Sequence, residues 1–222
     1  TNNLTDLAQC RTEPNMAQFF QIHPDNPQPR LVRQAIEILN KGGVICYPTD
    51  SSYALGCQIG DKSAMDRIRQ IRRLGDKHNF TLVCSNLTEI SQYTKLNNQG
   101  YRLIKSLTPG PYTFILPATK QVPRRLMHPK RKTIGIRVPD NTIALELIES
   151  LGEPIMSSTL ILPGEDMPMM DPYEMKQTLG HQVDLIIDGG YCGFDPTTVL
   201  VMEDDNPWVA RYGKGDASQF GD

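Results

Sequence analysis

The feature that most constrains this chain is a series of short apolar runs separated by helix-period segments. Val44-Ile45-Cys46-Tyr47, Phe80 to Cys84, Tyr112 to Leu116, Thr133 to Val138, Ile155 to Thr159, Val183 to Ile187 and Thr198 to Val201 each run four to six residues. Runs of that length without strict alternation read as strands buried on both faces. Trp208 to Arg211 reads as a last short strand. Leu31, Val32, Ala35, Ile36, Ile38 and Leu39 form the stripe of an amphipathic helix, ended by Gly42-Gly43. Met65, Ile68 and Ile71 give a second helix ending near Arg73. Tyr101 to Leu107 gives a third, broken by Pro109-Gly110-Pro111, and Ile143 to Leu151 a fourth, closed by Gly152. The alternation predicts an α/β fold: one domain with a twisted mixed parallel/antiparallel sheet and helices on both faces. Direct strand-to-strand successions around 112–138 and 183–211 argue against a purely doubly wound order.

At 222 residues the chain suits a single domain. Residues 1–15 are polar and aperiodic, and Met16-Ala17 reads as a natural start. The expectation is a disordered extension over 1–15 and a domain over 16–222. No apolar run approaches the roughly 18 residues that span a bilayer, and no signal peptide is legible. Five scattered cysteines without a CxxC pair argue against a zinc ribbon or disulfide framework and suit a reducing, cytoplasmic location.

The net charge of -2 hides a split. Arg30 to Arg137 holds nineteen Lys/Arg against six Asp/Glu, and Val138 to Asp222 holds three against sixteen. Lys120, Arg124, Arg125, Lys130, Arg131, Lys132 and Arg137 crowd one acid-free stretch with His128. Arg67, Arg69, Arg72 and Arg73 form a second cluster. Together they form a candidate face for phosphate or nucleic acid. The alternative is that the two halves interleave and their charges cancel.

No P-loop, GxGxxG, HExxH or GxSxG motif is present. The four histidines are dispersed, Asp204-Asp205 reads as a solvated loop, and no metal site is assigned. Three segments carry chemistry instead. Tyr47-Pro-Thr-Asp-Ser-Ser-Tyr-Ala-Leu-Gly-Cys57 places small hydroxyls directly after a buried strand, where open α/β sheets bind ligands. Thr108-Pro-Gly-Pro-Tyr-Thr-Phe-Ile-Leu116 is a stiff turn entering a strand. Ile134-Gly-Ile-Arg-Val-Pro139 ends a strand on an arginine, which suits a carboxylate or phosphate clamp.

With Asp188-Gly-Gly and Pro196-Thr-Thr-Val199, these segments resemble the YrdC-like family in kind and order. That family carries P-T-[DE]-T-x-Y-G-L-G, P-G-P-x-T, a [VI]-R-x-P strand end and D-G-G-…-P-S-T-[VI]. The resemblance covers about residues 18–215. Tyr-Ala-Leu-Gly-Cys57, His78-Asn-Phe-Thr81 and Val122-Pro-Arg-Arg125 resemble its YciO branch.

The resemblance implies a twisted-sheet domain with a concave, basic cavity. The family includes synthases that condense threonine, bicarbonate and ATP, with Mg2+, into threonylcarbamoyl-AMP for tRNA modification. Double-stranded RNA binding is also attributed to it. By resemblance, Arg72, Thr159 and Arg211 would meet nucleotide or phosphate. Ser51, Tyr53, Thr113, Arg137 and Thr198 would meet a threonine-like substrate. RNA or tRNA would meet Arg67, Arg69, Arg73, Lys120, Arg124, Arg125, Lys130, Arg131 and Lys132. No catalytic residue is assigned, and any ATP or Mg2+ is implied by resemblance alone.

Two departures stand out. The synthases' K-x-R-P stretch corresponds here to Arg72-Arg73-Leu74-Gly75, where Leu74 replaces a cation. In an extended segment, residues 72 and 74 would share a face and Arg73 would point away. The synthases' S-x-N corresponds to Thr159-Leu160-Ile161, which replaces an amide with a side chain lacking any donor or acceptor. Three readings stay open: a basic-cavity protein that binds RNA or nucleotide phosphate, an active ATP-dependent synthase or retargeted acyltransferase, and a sugar-phosphate lyase-type enzyme. No acidic metal cluster supports the last.

Overall fold

The computed structural model describes residues 15–75, 78–202 and 206–221. The expected extension lies outside them except for Asn15, as does the Asp204-Asp205 pair. Ten strands are described: β1 (Gln18–Gln21), β2 (Ile45–Tyr47), β3 (Ala54–Gln58), β4 (Thr81–Val83), β5 (Tyr112–Pro117), β6 (Thr133–Arg137), β7 (Ile155–Thr159), β8 (Leu185–Asp188), β9 (Thr198–Val201) and β10 (Trp208–Arg211). The helices among the described residues are α1 (Pro29–Asn40), α2 (Lys62–Arg72), α3 (Leu87–Tyr93), α4 (Asn98–Leu107), α5 (Thr142–Leu151) and α6 (Pro172–Leu179). Their starts follow capping chemistry. Asp61, Asn86, Asn97, Asn141 and Asp171 each accept a first-turn backbone N–H, at 2.8 to 3.0 Å.

One mixed sheet runs β1-β8-β2-β3-β7-β4-β6-β5-β9-β10. The pairs β1/β8, β2/β8, β4/β6 and β5/β9 are parallel, and the rest antiparallel. Helices cover both faces, as the buried runs require. Val32, Ala35 and Leu39 of α1 join Ile143, Leu147 and Ile148 of α5 on one face, over Ile45, Tyr47, Ile155 and Ile187. The other face carries Leu55, Leu82, Phe114 and Met156 under α2, α3, α4 and α6.

The order is mixed rather than purely doubly wound, as the strand successions imply. Val183 to Ile187 and Thr198 to Val201 follow each other in sequence without pairing. β8 inserts between β1 and β2, while β9 lies across the sheet beside β5. The sequence reading also missed β1, β3, α3 and α6. Gln18–Gln21 has only two apolar residues, and α3 and α6 are only about two turns long. β3 lies inside the Tyr47–Cys57 segment, which the sequence singles out for its hydroxyls, and it carries Gly56 in mid-strand. The glycine is there because a Cβ would stand 2.8 Å from both the Tyr47 ring and Ile155.

Gly56→Val is therefore expected to overpack the core between β2 and β7 and to cost about 1–3 kcal/mol. Urea unfolding of the purified variant checks this; unchanged stability would mean that Tyr47 and Ile155 can move apart freely.

Candidate functional site

α1 and α5 cover only part of their face of the sheet. Ala54 and Val83 belong both to the core under these helices and to the rim of an open cavity beyond it. The period-2 geometry of β4, β5 and β6 sends Thr81, Val83, Thr113, Ile115, Gly135 and Arg137 into that cavity, whose volume is about 440 Å3. Four arginines (Arg72, Arg131, Arg137, Arg211) and two histidines (His78, His128) line it, among ten Ser and Thr residues. No carboxylate occurs among its described lining residues.

Arg137 sits at the centre. It ends β6 and is only 6% exposed. Its Nη2 pairs with the Asp50 carboxylate, which is equally withdrawn from solvent, and its Nη1 donates to Ser51 Oγ at 3.1 Å. The other Asp50 oxygen accepts the Asp140 N–H at 2.9 Å, and Lys214 Nζ donates to the Asp50 carbonyl. Thr49 Oγ1 accepts the Ser51 and Ser52 amides at 3.2 Å and donates to the Ser52 carbonyl at 2.6 Å. The hydroxyl segment is thus a self-bonded turn clamped onto the strand end by one ion pair. The sequence reading gave Asp50 no role; the available signal was a lone acid beside a buried arginine that needed a counter-ion.

Arg211 lies beside this centre. Its Nε and Nη2 donate to the Thr197 carbonyl at 3.1 and 2.9 Å, and Nη2 also donates to Thr197 Oγ1 at 3.0 Å. Thr197 Oγ1 is 2.8 Å from Thr113 Oγ1. Burial, then the nearby Arg137 charge, holds the Arg211 guanidinium below its ordinary pKa. At the other end, Arg72 Nε donates to the Ile161 carbonyl at 3.1 Å and Nη1 to Ser158 Oγ. Burial lowers its pKa too. Both guanidiniums stay charged at neutral pH. Their depressed values mean that the charge is poorly solvated where it stands, which an incoming anion would relieve.

The structure brings Ser51, Arg72, Thr113, Arg137, Thr159 and Arg211 to the cavity. It places Tyr53 and Thr198 elsewhere, one residue out of phase with it. Ser52 and Ala54 line the cavity, so Tyr53 between them turns to the opposite face, where its hydroxyl donates to the Gly190 carbonyl at 2.7 Å. Likewise Thr197 and Val199 face the cavity, and Thr198 Oγ1 donates to the Gly215 carbonyl at 2.6 Å. Both hold backbone turns.

Leu74 also departs from expectation. The segment is not extended: α2 ends with Arg73 left-handed at φ 51°, and the Leu74 N–H bonds the Arg69 carbonyl at 2.9 Å. Residues 72 and 74 therefore share no face. Arg72 and Ile161 line the cavity, whereas Leu74 does not.

The basic clusters divide. Arg131 lines the cavity, and Lys120, Arg124, Arg125, Lys130 and Lys132 are exposed along the same segment. Arg125 reaches the Gly60 carbonyl. Arg69 pairs with Asp66 at 3.3 Å and stands over the Phe80 ring, while Arg73 is exposed at the end of α2. Arg67 turns away, pairing with Asp184 at 2.8 Å in a separate groove beside Lys41 and Gly43.

Two expectations follow. Asp50→Ala leaves the Arg137 charge buried and unpaired, and is expected to cost about 3–5 kcal/mol in urea unfolding. The double variant Asp50→Ala/Arg137→Met is expected to recover most of that loss. The second concerns His78, whose pKa is lowered by burial and then by Arg72 and Arg69. The unfolded chain takes up this proton near pH 6.5, but the folded one does so only at lower pH. Its contribution to stability is therefore full above about pH 6.5 and is lost as pH falls from there through the folded value. His78→Gln is expected to flatten that part of the stability–pH curve; an unchanged curve would contradict the assignment.

The geometry can be set beside known proteins. The Sua5/YciO/YrdC family model, described as "Telomere recombination", matches residues 37–213. An uncharacterized protein of Haemophilus influenzae is 62% identical over 206 residues, covering 92% of this chain and all of that one. The crystal structure of Escherichia coli YciO, 60% identical, superposes with a TM-score of 0.88 over 92% of this chain and all of that one. A threonylcarbamoyl-AMP synthase of Coxiella burnetii is 29% identical over 159 residues, covering 71% of this chain and 84% of that protein. No helix among the described residues is long and apolar enough to cross a membrane. The sheet order, the clamped hydroxyl turn and the matched span lead to one conclusion: the chain belongs to the Sua5/YciO/YrdC family, related to the threonylcarbamoyl-AMP synthases.

Proposed function

We propose that the cavity binds the phosphates of a nucleotide beside a small hydroxyl- or carboxylate-bearing substrate, and that threonylcarbamoyl-AMP synthesis by this chain is weak or absent. One observation carries the reading: four arginines line the cavity and no carboxylate is among its described lining residues. A phosphate entering this space meets charge-assisted donors at both ends. The relation to threonylcarbamoyl-AMP synthases suggests which nucleotide chemistry to test. The lining does not suit a protein-held Mg2+, which favours carboxylate oxygen. Any Mg2+ would arrive on the nucleotide.

Ile161 supports the weak-synthase half of the proposal. It occupies the cavity wall where the synthase pattern has an amide, and it offers a nucleotide no hydrogen bond. Arg72 is the cation retained at that end. One lost charge-assisted bond is worth about 1.5–3 kcal/mol, or roughly 10- to 160-fold in affinity.

A second reading, duplex RNA binding, is favoured by the exposed cations from Lys120 to Lys132 running beside Arg131 at the cavity. Arg67 contributes nothing to such a face, because Asp184 holds it in another groove.

Calorimetric titration with ATP and pyrophosphate, with and without threonine, tests the proposal alongside pyrophosphate release. Arg72→Ala is expected to weaken pyrophosphate binding at least about 10-fold. Ile161→Asn is expected to tighten ATP binding, and Leu74→Arg to leave it unchanged. Turnover comparable with a dedicated synthase would overturn the weak-synthase half. Absence of nucleotide binding, together with duplex RNA binding that falls steeply with salt, would favour the second reading.

A further inference from the structure

Ser158 stands in the cavity wall between two unlike partners. It is 6% exposed. Arg72 Nη1 donates to its Oγ, and His78 Nε2 lies 3.3 Å from the same oxygen. A guanidinium has donors only, so Ser158 Oγ accepts from Arg72 and keeps its own proton to give. In the tautomer with the imidazole proton on Nδ1, that Oγ–H donates to His78 Nε2. Burial, then the charges of Arg72 and Arg69, lowers the His78 pKa and favours the neutral ring, whose lone pair lies on Nε2 in that tautomer. The Phe80 ring packs edge-on against the imidazole, at 5.6 Å and 90° between planes, and limits its rotation. Phosphate binding at the arginines gives none of these three features a role. A serine oxygen 3.3 Å from an imidazole nitrogen, with a cation on the same oxygen, has the parts of an activated nucleophile.

We propose that Ser158 is a nucleophile, and His78 its general base, in hydrolysis of an acyl phosphate anhydride held in the cavity. The proposal rests on reading the cavity as a phosphate site, since the arginines would hold the leaving phosphate. In the first step the Ser158 Oγ–carbon bond forms and the carbon–oxygen bond to phosphorus breaks. The phosphate leaves with the bonding pair, and the Oγ proton passes to His78 Nε2, which hands it to the departing phosphate and is neutral again. Arg72 faces the negative charge that develops on the reacting oxygen. In the second step water attacks the acyl-serine. His78 Nε2 takes one proton from the water and delivers it to the departing Ser158 Oγ, while the hydroxyl stays on the released acid. The sum is one anhydride and one water giving one carboxylic acid and one phosphate.

A fluorophosphonate probe and acetyl phosphate test this directly on the whole chain. Mass spectrometry of the labelled wild type is expected to place the phosphonyl group on Ser158. His78→Gln is expected to slow labelling by about 100-fold or more, the usual share of a general base. Ser158→Ala is expected to lose acetyl phosphate hydrolysis while retaining a cooperative thermal transition. Pyrophosphate titration of the wild type separates the two readings. Pyrophosphate binding without Ser158 labelling overturns the dyad and leaves the phosphate site standing. Ser158 labelling without pyrophosphate binding upholds the dyad and overturns the phosphate site. Labelling of Ser158 at an unchanged rate in His78→Gln overturns the role of His78.

Discussion

The structure turns on one buried ion pair. Arg137 and Asp50 lie 87 residues apart in sequence, both almost fully withdrawn from water. Neither charge is tolerable alone in that position. Together they fasten the turn after β2 onto the end of β6, from opposite halves of the sheet. The remaining Asp50 oxygen takes the Asp140 amide, and its backbone carbonyl takes Lys214, so two further segments are drawn to the same point. Ser51 receives the other Arg137 hydrogen bond and is thereby aimed into the cavity.

The clamp leaves an imbalance that the rest of the site shares. Asp50 offsets the charge of one guanidinium, yet Arg211 stands close enough to feel the charge of Arg137. Arg72 holds the far end through a carbonyl and a hydroxyl rather than a carboxylate. A cavity built this way is well formed as a protein surface but undercompensated as a charge distribution. An anionic ligand is the group that completes it. The folding requirement and the binding property come from the same residues.

The sequence made the buried strands legible because a sheet covered on both faces needs continuous apolar runs. The helices were legible where the stripe was long, as in α1, and harder where it was short, as in α3 and α6. β3 was not legible: it carries Gly56, whose close approach to Tyr47 and Ile155 no local pattern reveals. Of the residues that the sequence singles out for the site, some face the cavity and some do not. Thr113 and Arg137 were in phase with the cavity, whereas Tyr53 and Thr198 were one residue out. With a period of two, a slip of one residue exchanges a cavity side chain for one on the opposite face. Leu74 was misplaced for a different reason: the left-handed Arg73 turns the chain where an extended segment was assumed. Asp50, Ser158 and His78 depend on pairings 80 or more residues apart, which sequence spacing alone does not show.

A crystal structure of the wild-type chain with a non-hydrolysable ATP analogue tests the central claim most directly. The account predicts phosphate oxygens within hydrogen-bonding distance of Arg72 or Arg211, with the Arg137–Asp50 pair intact beneath them. Phosphates bound only along the exposed Lys120–Lys132 segment, with the cavity holding nothing but water, would contradict it.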